Sequence, residues 1–455
     1  MRETTRFFSG DSLRDPLNIR TLAAQSWSIG WPMMVIMLFE FVMSMADVWV
    51  AGRIGKEVQA AYGLVLQMYF VAIIVANALT VGSVSVISKL NAAGEDRRCR
   101  DAVHTVMLSA AAAGVSFGLA GVVAGPPIVR ALAVPAEVKE YAAPLLAVYA
   151  AGFIFHYVHF SNQGTLRSSG RVRTALRIQT VVVLVKLPLT YLLAFHTPLG
   201  HLGLAVSTVA AISIGTALSS LAIRPLRTGG AYSPAVVREV ASVGWPAGLM
   251  QLFWQLGFTT LFLVVGSLPE NKVETLAAFS NGLRIESAVF LPAFACNMAN
   301  AVIVGNQLGR GGRTGAFRGG LTTAVLGVAI VGVLTGVVIS AAPLIASLLS
   351  PDAIVRHETV RYLYVAMIAE PIMAWGVILA GGLNGAGDTR AVMLSVTFAM
   401  WVIRLPLAWF LGIRLGLGAA AIYWVMNLSV AIQSALITWR YLGRKWIRAA
   451  FPCGS

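Results

Sequence analysis

Charged residues are scarce in this sequence, and their scarcity excludes a water-soluble globular protein. Of its 455 residues only 12% are charged, while 57% are hydrophobic. A soluble chain carries roughly 25% charged residues, which coat its surface. About half of that coat is missing, so most of the surface must face something other than water. We therefore predict an integral membrane protein in a lipid bilayer.

Cysteines and catalytic clusters are rare as well. The three cysteines are scattered, and their number and spacing indicate neither a disulfide framework nor a metal site. The sequence has no Walker A motif for ATP. We therefore expect no cofactor and no metal. A net charge of +15 could indicate a nucleic-acid partner, but the distribution of the basic residues favours membrane orientation instead, and we expect no nucleic acid.

Twelve apolar runs approach the roughly 20 residues that a membrane-spanning helix needs. They cover residues 28–51, 60–88, 102–128, 141–165, 174–195, 202–223, 240–265, 276–304, 319–349, 358–383, 391–412 and 416–439. Loops on one side hold 23 Lys and Arg residues, and loops on the other side hold 8. Because basic loops stay in the cytoplasm, we predict that both termini are cytoplasmic. The Arg-rich composition is typical of a GC-rich bacterium, which indicates a bacterial inner membrane.

The two halves of the chain repeat one another. SIGWP at Ser28–Pro32 recurs as SVGWP at Ser242–Pro246, and KLPL at 186–189 recurs as RLPL at 404–407. A unit of six spans returns the chain to its starting side, so both halves have the same orientation. We predict two pseudo-symmetric six-helix bundles, with the substrate site between them near the midplane. The first comprises residues 1–228 with a cytoplasmic tail, and the second comprises residues 229–455 with a basic cytoplasmic tail.

Seven charged residues lie inside the predicted spans and more than three residues from their ends. Glu40, Asp47 and Lys186 belong to the first half, and Arg284, Glu286, Glu370 and Arg404 belong to the second. Facing lipid would cost about 2.5–3.5 kcal/mol per charge, so we expect these residues to face the bundle interior or a water-filled cavity. Glu40 and Asp47 are seven residues apart, which puts them on one face of a helix.

The first half has two buried acids and one buried base by this placement. If Lys186 pairs with only one acid, the other is left alone, and a desolvated carboxyl group without a cationic partner tends to hold a proton. We infer that Asp47, assisted by Glu40, binds the coupling cation and that Lys186 modulates them. Two alternatives stay open. Lys186 could neutralise Asp47 permanently, which would move coupling to Glu286 or Glu370, or all seven charges could form structural ion pairs.

Several motifs resemble those of the multidrug and toxic compound extrusion (MATE) transporters, over nearly the whole chain. They are DVWVAG from Asp47, Ala60-Ala61, LRSSG at 166–170, VGNQLG at 304–309, LNGAGDT at 383–389 and RLP at 404–406. The resemblance implies a V-shaped fold and secondary active export driven by inward flow of H⁺ or Na⁺. Some DinF-like members have Asn and Asp where this chain has Lys186 and Thr190. Two acids of the NorM-like branch align here with Trp254 and Met373, which leaves its sodium site unsupported.

We therefore predict a monomeric antiporter that exports small organic compounds, cationic or amphipathic, in exchange for H⁺ or Na⁺. Cation coupling is assigned to Asp47 and Glu40. The residues expected to line or modulate the cavity are Lys186, Thr190, Arg284, Glu286, Glu370 and Arg404. One alternative is a flippase for lipid-linked oligosaccharides, which would need a strongly cationic cavity. Another is a membrane-embedded enzyme, which would need a catalytic cluster that the sequence does not show.

Overall fold

The fold is built from long helices that match the predicted spans. The computed structural model describes residues 19–132, 135–268, 272–350 and 352–449, and within them it contains no strand. Residues 1–18, which belong to the predicted cytoplasmic tail, lie outside the described residues. The helices are α1 (Ile19–Ile54), α2 (Lys56–Ala93), α3 (Asp96–Ala131), α4 (Ala136–Ala151 and Phe153–Ser168), α5 (Val172–Phe195), α6 (Leu202–Arg227), α7 (Pro234–Gly266), α8 (Lys272–Gly309), α9 (Arg313–Leu349), α10 (Ala353–Ala386), α11 (Thr389–Arg414), α12 (Gly418–Leu442) and the short α13 (Lys445–Ala449).

The number of membrane-spanning helices agrees with the prediction. Among the described residues eleven helices are long and apolar enough to cross a bilayer, and the bent α4 makes a twelfth. All twelve predicted spans correspond to α1–α12 in order. The prediction of an all-α membrane protein with twelve spans is confirmed.

Helix α4 is bent by 50° at Gly152, between its two halves. A Cβ atom at this position would overlap with Val209 of α6, so only glycine lets the two helices pack this closely. The first half is mostly apolar. The second half buries an unusual number of polar side chains, including His156, Asn162 and Arg167.

Helix α11 departs from α-helical geometry in two places. Residues Ala399–Arg404 and Phe410–Arg414 form π-helical turns. Pro406 lies between them and has no amide hydrogen to donate, which interrupts the regular ladder of hydrogen bonds. Arg404 ends the first π-turn with its side chain buried.

Two lobes are joined by a small set of helix pairs. Helices α1–α6 form the first lobe and α7–α12 form the second, and the most extensive contacts between the lobes join α2 with α7, α1 with α8, and α2 with α8. In the predicted repeat α1 corresponds to α7 and α2 to α8. The contact of α2 with α7 is therefore equivalent to the contact of α1 with α8. The contact of α2 with α8 joins two corresponding helices. A pseudo-two-fold axis requires both relations.

The lobes are packed tightly at the end of the molecule where α1 begins and α12 ends, which we call the basal end. A Cβ atom at Gly244 of α7 would lie 2.5 Å from the carbonyl oxygen of Ala78 in α2. Nearer this end, Lys89 Nζ donates a hydrogen bond to the Ala386 carbonyl oxygen at 2.8 Å. Ser85 Oγ donates to the Gly385 carbonyl oxygen at 3.0 Å. These contacts between α2 and the carboxyl end of α10 close the basal end of the space between the lobes.

Candidate functional site: a cavity between the lobes

A cavity of about 1000 Å³ lies between the two lobes at mid-height. Its wall is made by helices of both lobes and is mostly apolar, with many aromatic and methionine side chains. These include Tyr69, Phe70, Phe160, Trp254, Phe258, Phe262, Phe290, Met37, Met250 and Met373. The charged side chains of the wall are Glu40, Arg167, Lys186, Glu286 and Arg404. The cavity can therefore contact a large apolar ligand and also offers charges of both signs.

Asp47 and Lys186 form a direct ion pair inside the first lobe. Lys186 Nζ lies 2.6 Å from Asp47 Oδ2, and the two residues are only 6% and 3% exposed. Tyr62 donates a hydrogen bond to the same oxygen at 3.1 Å, while Asp47 Oδ1 has no partner among the described residues. Lys186 lines the cavity, but Asp47 lies behind it. The question left open by the sequence is thereby answered: Lys186 pairs with Asp47 and not with Glu40.

Glu40 faces a different base, Arg167, which lies just beyond the predicted span of residues 141–165. Arg167, in the last turn of α4, is 7% exposed and interacts electrostatically with Glu40. Its Nη1 also lies 3.7 Å from Met298 Sδ in the second lobe. The first lobe therefore contains a second base near its acids, which the count over the predicted spans did not include. The arginine side chain is long enough to reach from the end of α4 into the lobe.

Thr190 lies apart from these charges. Its Oγ1 is 2.8 Å from Ser207 Oγ of α6, and the residue is 1% exposed. Thr190 does not line the cavity. It ties α5 to α6 within the first lobe, one helical turn beyond Lys186.

Two carboxyl groups, a half-buried one and a fully buried one, lie close together in the second lobe. Tyr362 donates a short hydrogen bond to Glu286 Oε2, and Glu370 interacts with Glu286. Glu286 lines the cavity, whereas Glu370 is 2% exposed and its Oε2 has no partner among the described residues. Arg404 lies near Glu286. Its Nε donates to Ser429 Oγ at 2.7 Å.

Arg284 does not join this group. The structure places its side chain on the exposed surface of α8, outside the wall of the cavity. The expectation that it faces the protein interior is therefore wrong. A helix of known sequence does not by itself reveal which side faces a neighbour, and Arg284 is 12 residues from the start of α8, near enough for its side chain to extend towards the membrane surface.

These placements reverse the balance of charges that the sequence indicated. The interior of the first lobe holds two acids, Glu40 and Asp47, with two bases, Arg167 and Lys186. The interior of the second lobe holds Glu286 and Glu370 with only one base, Arg404. The acid without a base of its own is thus in the second lobe.

Sequence reasoning missed the tyrosines and the polar face of α4. Tyr62 donates a hydrogen bond to Asp47, 15 residues away, and Tyr362 donates one to Glu286, 76 residues away. His156 and His159 of α4 also line the cavity. Their spacing along one face of α4 was the available signal. Among the described residues, no group of three or more His, Cys, Asp or Glu side chains is arranged to hold a metal ion.

The chain resembles known proteins along its whole length. The MatE family model matches it twice, at residues 32–192 and 246–410, once in each lobe. The chain is 29% identical over 460 residues to a probable multidrug resistance protein NorM of Burkholderia mallei, which covers 95% of both chains. It is 26% identical to a protein of the same description from Bradyrhizobium diazoefficiens, with 90% and 91% covered.

Solved structures share its fold. A crystal structure of MATE in complex with MaL6 superposes with a TM-score of 0.89 at 17% identity, with complete coverage of both chains. An outward-facing structure of a multidrug resistance MATE family transporter of the MOP superfamily gives 0.88, also at 17% identity, and covers 95% and 97% of the two chains. At this level of identity the likeness concerns the fold alone.

Proposed function

The chain belongs to the MatE family of membrane transporters, which are not enzymes, and we propose that it exports small amphipathic cations in exchange for protons. The cavity between the lobes carries this proposal. A volume of about 1000 Å³ suits a drug-sized molecule. Aromatic faces attract organic cations, and the acidic groups Glu40 and Glu286 supply negative charge in the same wall. That relatives are described as multidrug resistance proteins supports the same function.

Glu286 and Glu370 are the proposed coupling site. Asp47 already has a full positive partner at 2.6 Å, and Glu40 faces Arg167, so neither needs an external cation. Glu370 has no such base, and two neighbouring carboxyl groups in low-dielectric surroundings cannot both ionise easily. Glu286 connects this pair to the cavity. Coupling thus moves from Asp47 to the second lobe.

A proton fits this site better than a sodium ion. Sodium would need several oxygen ligands and would bring a second positive charge next to Arg404, which already interacts with Glu286. A shared proton needs only the two carboxyl groups and the Tyr362 hydroxyl. Loss and gain of this proton would change the attraction between Glu286 and Arg404. That change gives the lobes two electrostatic states, as alternating access requires.

The orientation in the membrane follows from the loop charges. We propose a multi-pass protein of a bacterial inner membrane with its basal end, and hence both termini, in the cytoplasm. Each wall of the cavity is supplied by one chain, which supports a monomer as the working unit. The flippase alternative finds no support in the wall, because its charged groups are two acids and three bases, one of which is already paired with Asp47.

The proposal is tested with purified protein in proteoliposomes that carry an imposed pH gradient or an imposed sodium gradient, with a panel of fluorescent organic cations. A pH gradient alone should drive uptake into liposomes with an acidic interior through inverted protein molecules. A sodium gradient at equal pH should not. Transport driven only by sodium would overturn the proton assignment, and no transport with either gradient would overturn the antiport function.

A further inference from the structure

Two aromatic rings of α7 lie side by side in the second-lobe wall of the cavity. Trp254 and Phe258 are four residues apart, which puts them on one helix face, and their ring centroids are 4.4 Å apart. Both residues line the cavity. Trp254 is 41% exposed, so a molecule in the cavity can reach its ring. We call these two residues the aromatic pair.

Close packing of α7 against α11 brings a positive charge to the aromatic pair. A Cβ atom at Gly257, the residue before Phe258, would overlap with Met400 of α11, so glycine is needed for this approach. Arg404 follows Met400 by about one helical turn. Its Cζ lies 5.8 Å from the centroid of the Phe258 ring, close enough for a cation–π attraction.

Arg404 is held in this position by two further interactions. Its Nε donates a hydrogen bond to Ser429 Oγ of α12 at 2.7 Å, and the residue is only 6% exposed. Arg404 also interacts electrostatically with Glu286, the member of the proposed proton site that lines the cavity. The guanidinium group therefore connects the proton site to the aromatic pair.

The charge of Arg404 is balanced to an extent that depends on the shared proton. Glu286 is faced by Tyr362 and Glu370 of α10 and by Arg404 of α11. Without the proton, two carboxylates outweigh one guanidinium group. With the proton, the acids attract Arg404 less, and more of its positive charge acts on a cation beside the aromatic pair.

The resulting repulsion is large enough to release a ligand. The route from Arg404 Cζ across the Phe258 ring to the Trp254 ring is roughly 10 Å, and two like charges at that separation, with an effective dielectric constant of about 20, change a binding constant by about tenfold. A cation on the Trp254 ring is therefore sensitive to the state of the proton site.

We propose that the exported cation stacks on Trp254 and that Arg404, placed on the neighbouring ring of Phe258, expels it when Glu286 takes up a proton. A flat aromatic cation fits this site best, because its ring plane can lie on the indole while its charge is attracted by the π face. Binding of the substrate and binding of the proton then oppose each other, as antiport requires. This inference rests on the proposed proton-driven export of amphipathic cations and assigns residues to binding and release.

A matched pair of ligands tests it: the flat cation N-methylacridinium and its uncharged isostere methylanthracene, in which carbon replaces the charged nitrogen. Both ligands are fluorescent. Binding to the purified protein in nanodiscs is measured by their fluorescence, with empty nanodiscs as the blank, and transport of the cation is measured in proteoliposomes.

Two variants test the role of Arg404. Glu286→Gln imitates the protonated site and should weaken binding of the cation about tenfold. It should leave binding of the uncharged ligand unchanged, which also shows that the variant is folded. Glu286→Gln combined with Arg404→Met removes both charges and should restore the affinity for the cation to within about twofold of the wild type.

The Trp254 ring is tested separately. Trp254→Leu should weaken binding of both ligands about tenfold, because both lose the stacking contact, and Trp254→Phe should keep most of the binding. Trp439→Leu is the control. Trp439 is 75% exposed and lies outside the wall of the cavity, so both affinities should stay at the wild-type value.

The inference is overturned if Glu286→Gln binds the cation as tightly as the wild type, if the double variant binds it as weakly as Glu286→Gln, or if Trp254→Leu binds both ligands like the wild type. Failure of the proposed function gives a different result. In that case the affinities follow the predicted pattern, but no gradient drives transport of the cation.

Discussion

Lys186 Nζ lies 2.6 Å from Asp47 Oδ2, and this contact joins α1 to α5 inside the first lobe. Two opposite charges with so little exposure stabilise each other only while both are present. The acid that the sequence singled out for coupling is thus paired with a buried base. The acid without a base of its own is Glu370 in the second lobe.

The ion pair predicts a loss of stability when either partner is removed. Lys186→Met or Asp47→Asn leaves a buried charge alone, which should reduce the free energy of unfolding by about 3–5 kcal/mol. The double variant should recover most of that loss. Thermal unfolding in detergent measures these changes in stability. Asp388→Asn is the control, because its partner Arg440 is 33% exposed. Equal stability of the wild type and both single variants would contradict the structural role.

The hydrogen bond from Lys89 to Ala386 predicts a role in closing the basal end. Lys89→Met removes a cation from the carboxyl end of α10, where the helix dipole favours positive charge. We expect the basal end to open about tenfold more often, from a loss of roughly 1.4 kcal/mol. A cysteine introduced at Ser88, which is fully buried, reports the opening through its rate of thiol labelling in a cysteine-free background.

Arg98→Met is the matched control for this measurement. Arg98 lies near the same end of the molecule, but its partner Glu95 is three residues away and both side chains are exposed. Labelling at position 88 should stay at the wild-type rate in this variant. A Lys89→Met protein that is labelled no faster than the Arg98→Met protein would show that the contact does not hold the lobes together.

The close approach of the lobes at Gly244 predicts a steric effect of a single methyl group. Gly244→Ala places a Cβ atom 2.5 Å from Ala78 O, so the lobes must separate slightly, at a cost of about 1–3 kcal/mol. Gly332→Ala in α9 meets no atom within 4 Å, and it should raise stability by about 0.5–1 kcal/mol. The unfolding temperatures of the wild type, Gly244→Ala and Gly332→Ala measure both effects. A Gly244→Ala protein as stable as Gly332→Ala would contradict the packing.

The helices and their order were predictable because every membrane-spanning helix must be long enough and apolar enough to cross the bilayer. Lys186 was predictable as a buried base for the same reason. Arg167 and Arg284 were not, since the position of a long side chain relative to the membrane depends on which helix face meets a neighbour. Arg167 falls outside the predicted spans and lies in the cavity wall, whereas Arg284 was assigned to the interior and is exposed. The two errors together placed the acid without a base in the wrong lobe.

The contact between Tyr362 and Glu286 shows a second limit. It joins α10 to α8 across 76 residues, and nothing in the local pattern of either helix indicates it. Gly282, one turn before Glu286, leaves room for the Tyr362 ring, and a Cβ atom there would overlap with it. Such a pair becomes visible only when the packing of the helices is known.

Gradient-driven transport by the Glu370→Gln protein tests the central claim most directly. Initial rates under an imposed pH gradient are compared with substrate affinity in the same proteoliposomes, with Asp47→Asn as the matched variant in the other lobe. The account predicts that Glu370→Gln binds substrate within about twofold of the wild type but loses at least about tenfold in gradient-driven rate, while correctly folded Asp47→Asn protein keeps its coupling. Full proton-driven transport by Glu370→Gln, with coupling lost in folded Asp47→Asn protein, would contradict it.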